Sequence, residues 1–74
     1  MTFGLTKTQE EVLSKHYPAL LNERINGFIS LGSVKTDFHL HEIEKVDYES
    51  LSYEEVEALN SVIMKMSTFR SVSK

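Results

Sequence analysis

Three histidines and eleven carboxylates are the side chains of this 74-residue chain best suited to acid–base or metal chemistry, because cysteine is absent. That absence removes disulfides, thiolate ligands and cysteine nucleophiles together. Three histidines are too few for a histidine-only structural zinc site. His39-Leu40-His41, followed by Glu42 and Glu44, is the one metal-like cluster in the sequence. On a strand the two imidazoles point to one face and could share an ion. On a helix they diverge by about 200° and could not chelate together. The spacing matches no established ligand set, so no metal and no cofactor is assigned. The neighbouring carboxylates favour protonated histidine, which makes a pH-sensitive surface the better use of this pair.

The carboxylates invite a catalytic reading, but Glu54, Glu55 and Glu57 do not form two opposed groups across a cleft, as acid–base catalysis requires. No Gly-x-Ser-x-Gly elbow occurs, and glycines at 4, 27 and 32 are too scattered to cradle a phosphate. A chain this short has little room for a site that excludes water. The expectation is a non-enzymatic protein.

Charge is the strongest functional signal. Asp37, Glu42, Glu44, Asp47, Glu49, Glu54, Glu55 and Glu57 are opposed within their stretch by Lys45 alone, a net −7 from eight acidic residues and one basic. The remainder holds seven basic residues against three acidic ones, a net +4. Such a stretch repels phosphate backbones and suits a basic protein surface. Part of the polarity has a plainer cause. Glu54, Glu55 and Glu57 open a helix whose end carries Lys65 and Arg70, with Lys74 beyond, which complements the helix dipole. Dipole matching accounts less well for Glu42, Glu44, Asp47 and Glu49.

The elements that position these groups read as helices. Ser52-Tyr53-Glu54-Glu55 is a capping box, and Val56, Leu59, Ile63 and Met66 follow at steps of 3, 4 and 3, with Val62 and Phe69 widening the stripe. A helix is expected over about residues 53–70. Thr6-Lys7-Thr8-Gln9 and Thr8-Gln9-Glu10-Glu11 both offer caps for an earlier helix containing Val12, Leu13 and Tyr17. Pro18 closes it and favours a fresh start, so a second helix is expected over about residues 18–31, with Gly32 as its C-cap. Asn26-Gly27 argues against that helix, because the pair is a strong hairpin signal. Residues 33–48 alternate like a strand at Val34, Thr36, Phe38 and Leu40, yet also step like a helix, which is placed at about 37–48.

The fold class expected is therefore all-α, a single domain over 1–74 built as a bundle of three to four short helices. The alternative is a compact α+β domain with an Asn26-Gly27 hairpin. Val56 and Ile63 occupy a-like positions and Leu59 and Met66 d-like ones, so these four residues form the expected seam of a homodimer. No apolar run reaches the roughly 20 residues of a membrane span, and the N-terminus lacks a signal-peptide pattern. A cytoplasmic protein without membrane contact is expected. The function expected is an interaction or regulatory module that binds a basic protein partner through Glu42, Glu44, Asp47, Glu49, Glu54 and Glu57. A sharper form is inhibition of a nucleic-acid-binding protein by occupying its basic groove, with no direct contact to nucleic acid. The alternative is a small DNA-associated transcriptional regulator acting as a dimer, with Lys65, Arg70 and Lys74 meeting the phosphates. A third class is a metal-dependent or pH-responsive module using His39 and His41.

Overall fold

The computed structural model describes residues 1–72, with side chains placed through Thr68. The expected roles of Phe69, Arg70 and Lys74 rest on side chains outside the described residues. A two-residue strand, β1 (Thr2–Phe3), leads into helix α1 (Lys7–His16). A 3-10 helix (Pro18–Glu23) follows, then strands β2 (Arg24–Ile25) and β3 (Phe28–Ser30). Helix α2 (Ser33–Ile43), a single 3-10 turn (Tyr48–Ser50) and helix α3 (Tyr53–Val72) complete the described chain.

Two helix starts follow directly from local hydrogen bonding. The Thr6 hydroxyl accepts the Gln9 N–H at 3.1 Å while the Gln9 side chain accepts the Thr6 N–H at 3.0 Å. Ser52 and Glu55 repeat the exchange at α3, at 3.2 and 3.0 Å. Each box satisfies two backbone donors that the first helical turn leaves open. Helix α2 begins four residues earlier than its sequence suggests. The buried Thr36 hydroxyl donates back to the Gly32 carbonyl at 2.9 Å from within the first turn.

The long helix expected over 18–31 does not form. Pro18 opens a 3-10 helix that ends at Glu23, and the chain then reverses through Asn26 and Gly27, whose φ values are 53° and 85°. Two successive positive φ angles define the two-residue turn whose twist matches a hairpin, and glycine enters that region without a Cβ clash. The product is a three-stranded antiparallel sheet in the order β1-β3-β2. Thr2 pairs with Ser30 and Phe3 with Ile29, while Ile25 pairs with Phe28 across the turn. The Leu31 N–H extends the β1 pairing to the Met1 carbonyl at 2.9 Å. The fold is thus helix-dominated with a small sheet rather than a pure bundle, and the Asn26-Gly27 hairpin belongs to it.

Both α1 and α2 pack against α3. Leu59, Val62 and Met66 of α3 are fully buried, together with Leu13, Leu20, Ile29 and Ile43. Each such side chain contributes about 1.5–3 kcal/mol by leaving water. Ile29 is the inward residue of the central strand; Ile25 and Phe28, paired on the outer face, remain more than half exposed. Among the described residues no helix is long and apolar enough to cross a membrane.

The turn geometry gives a direct test. Gly27→Ala forces a Cβ into left-handed backbone and is expected to lower stability by about 1–2 kcal/mol, read as a lower urea midpoint at unchanged slope. An unchanged midpoint would remove the turn from the account of the fold.

Candidate functional site

His39 is a core residue, 2% exposed, and does not lie on a pH-sensitive surface beside His41. Helix α2 turns the two imidazoles to different sides, and His41 is exposed. Among the described residues no group of three or more histidine, aspartate and glutamate side chains is arranged to hold a metal ion.

His39 instead joins three elements. Its Nδ1 lies 2.6 Å from the Tyr17 hydroxyl and its Nε2 lies 3.0 Å from Glu23 Oε2. Lys35 donates to the other Glu23 oxygen at 2.9 Å. An ionised carboxylate only accepts, so the His39 Nε2–H donates to Glu23. With the ring neutral, Nδ1 is then an acceptor and the Tyr17 O–H donates to it. Among the described residues each buried side-chain nitrogen and oxygen has a hydrogen-bond partner, which is the condition for tolerating such groups in a core. The Phe38 and Tyr17 rings meet the imidazole edge-on, at 5.2 and 5.7 Å between centroids. Tyr17 and Glu23 were not legible as partners because they stand 22 and 16 residues from His39, outside its helix.

This network shifts its members in opposite directions. Burial, reinforced by the charges of Glu42 and Glu23, pushes the Tyr17 hydroxyl up to about 12. The bonds from His39 and then Lys35 hold the Glu23 carboxyl below its ordinary value. Glu55 is lowered as well, first by the Ser52 N–H and then by His16, whose Nε2 lies 3.0 Å away. That last pair ties the end of α1 to the start of α3. Both rings of the Tyr17–His39 pair are buried, and the surface grooves beside α1 are lined by other residues. The arrangement locks α1, α2 and the 3-10 helix together.

The six carboxylates expected to bind a partner separate into two kinds. Glu42 is half-buried and holds Lys45 at 3.0 Å. Glu44, Asp47, Glu49, Glu54 and Glu57 are exposed and form no ion pair among the described residues. Glu44, Asp47 and Glu49 occupy the connection from α2 to α3. Glu54 and Glu57 share one side of the first turns of α3, where they border a groove with Thr8 of α1. The Glu57 side chain also takes a hydrogen bond from the exposed Tyr53, raising the Tyr53 hydroxyl above its ordinary value. Glu11 joins the same region across the groove, although the acidic stretch of the sequence does not include it.

The expected dimer seam divides too. Leu59 and Met66 are fully buried in the core of their own chain, whereas Val56 and Ile63 are half-buried. Val62 takes the inward place between Leu59 and Met66. Comparison with protein-family models, with curated proteins and with solved structures gives no match to this chain.

Removing the Tyr17 hydroxyl is expected to leave His39 Nδ1 buried without a donor. Tyr17→Phe should lower stability by about 1–3 kcal/mol in denaturant titrations. It should also remove the step near 12 from the ultraviolet titration of tyrosine. A raised hydroxyl stabilises the fold fully below the ordinary 10.0 and loses that contribution as pH rises towards 12. The lowered carboxyls act at the other limb. Glu23 and Glu55 stabilise the fold above their ordinary 4.5 and lose that contribution as pH falls through their depressed values. Glu23→Gln should flatten the acid limb of a stability–pH profile, and an acid limb identical to that of the parent would contradict the pairing.

Proposed function

We propose that this protein is a non-enzymatic interaction module that binds a basic protein surface through Glu44, Asp47, Glu49, Glu54 and Glu57. One observation supports this reading above others. Glu10, Glu23, Glu42 and Glu55 each pair with a basic or histidine side chain, while those five exposed carboxylates form no ion pair among the described residues. Charge satisfied inside a fold adds little to a distant partner's field; charge left facing water attracts it.

Glu44, Asp47 and Glu49 lie on the connection between α2 and α3, and Glu54 and Glu57 on the first turns of α3. Carboxylates there would steer a basic surface during encounter, and the exposed Tyr53 ring, 80% accessible, would supply apolar contact once it has docked. Occupying the basic groove of a nucleic-acid-binding protein is the specific form of this activity most consistent with the charge. The DNA-associated alternative draws less support. Arg24, Lys35 and Lys45 each face a carboxylate, and Lys65 donates to the Gly4 carbonyl at 3.2 Å.

The test compares the parent with a variant carrying Glu44→Gln, Asp47→Asn, Glu49→Gln and Glu54→Gln, each immobilised and exposed to extract from the source cells at low and high salt. The parent should retain basic proteins at low salt and release them at high salt, and the variant should retain markedly less. Identical retention by both proteins would refute the acidic interface. Retardation of duplex DNA by the parent alone would favour the DNA-associated alternative.

A further inference from the structure

A groove runs between α1 and α3 in two stretches that share Thr8 and Glu54, one reaching Ser61 and the other Lys15. Val12 and Ala58, both buried, supply its apolar wall. Glu11, Glu54, Glu55 and Glu57 line it, and among the described residues Lys15 is the one basic side chain set against them, so its field is negative. Glu55 is already held by His16, whereas Glu11, Glu54 and Glu57 form no ion pair among the described residues. Gln9 adds a feature of another kind. It is 7% exposed and lines the same groove. Its Oε1 accepts the Thr6 N–H, but its Nε2 has no hydrogen-bond partner among the described residues. Every fully buried side-chain nitrogen and oxygen among those residues does have a partner, so Nε2 is open to the surface, and the surface that Gln9 lines is this groove.

We infer that this groove holds an extended basic segment of the partner, with an arginine or lysine side chain reaching Glu54 and Glu57 and a backbone carbonyl accepting from Gln9 Nε2. The inference rests on the acidic interface proposed above and adds the form of the partner. Two requirements set that form. The carboxylates demand positive charge, and the free carboxamide N–H groups demand an acceptor. An anionic acceptor is repelled by the carboxylates, so the acceptor is neutral. A polyamine has the charge and no acceptor. A nucleic acid has acceptors and the wrong charge. A basic peptide has both, since every residue brings a neutral carbonyl. Within a helix those carbonyls are spent on the helix's own N–H groups, so the segment is extended. The methylene stems of its basic side chains lie on Val12 and Ala58 while their charged ends stay among the carboxylates.

The probe is a fluorescent decapeptide alternating arginine and serine, its binding followed by anisotropy and mapped by amide shifts of the isotope-labelled protein. At low salt the amides of Thr8, Gln9, Glu57 and Ser61 should shift. Gln9→Glu is the decisive variant. Glutamate keeps the capping box, because its carboxylate still accepts the Thr6 N–H, but it removes the N–H donors and adds a negative charge. Charge alone predicts tighter binding. The inferred contact predicts binding weaker by about fivefold or more, with helical circular dichroism unchanged. Ser61→Lys, at a half-buried position on the rim, should weaken the peptide as well. Tighter binding by Gln9→Glu, shifts confined to residues 44–49, or a parent that ignores the peptide at low salt would overturn the inference. The parent's retention of basic proteins from extract then separates the two readings: where it persists the acidic interface stands without this occupant, and where it is lost both fail.

Discussion

The structure depends on one face of α3. Leu59, Val62 and Met66 bury completely, and α1 and α2 both pack against this helix. A chain of 74 residues has a small core, so these inward positions leave little freedom elsewhere. Packing of α2 on α3, joined by a short connection, brings the end of one helix beside the start of the other. His16 and Glu55 then fix the end of α1 to the same place.

Local chemistry was the legible part of the fold. The Thr6–Gln9 and Ser52–Glu55 caps involve residues three apart, and each formed where its sequence pattern stands. The region from Pro18 to Ser30 was ambiguous for a physical reason. Leu20, Leu21, Ile25, Phe28 and Ile29 suit a helical stripe, but positive φ at Asn26 and Gly27 suits a hairpin better. What tipped the balance is nonlocal: β3 pairs on both sides, one partner being Thr2–Phe3 at the far end of the sequence. No pattern within a short window announces that pairing.

The same distinction explains the candidate sites. His39 looked like a surface residue because its neighbours in sequence are acidic; its actual partners, Tyr17 and Glu23, come from other elements. The heptad spacing of Val56, Leu59, Ile63 and Met66 was real, but a repeat does not say which side meets the core. Rotation of α3 by the core set Leu59 and Met66 inward and left Val56 and Ile63 at the border with solvent. The acidic stretch was visible from composition. Which of its members remain free was not, since that depends on ion pairs such as Glu42–Lys45 and His16–Glu55.

A photoreactive residue placed at Glu49 tests the central claim most directly, with the same residue at Phe28 on the sheet as the comparison. Both positions are exposed, so neither label disturbs the core. Irradiation in source-cell extract should yield adducts with basic proteins from position 49 and not from position 28, and added salt should abolish them. Adducts from position 28 alone, or adducts at position 49 that persist unchanged in high salt, would contradict an interface built on exposed carboxylates.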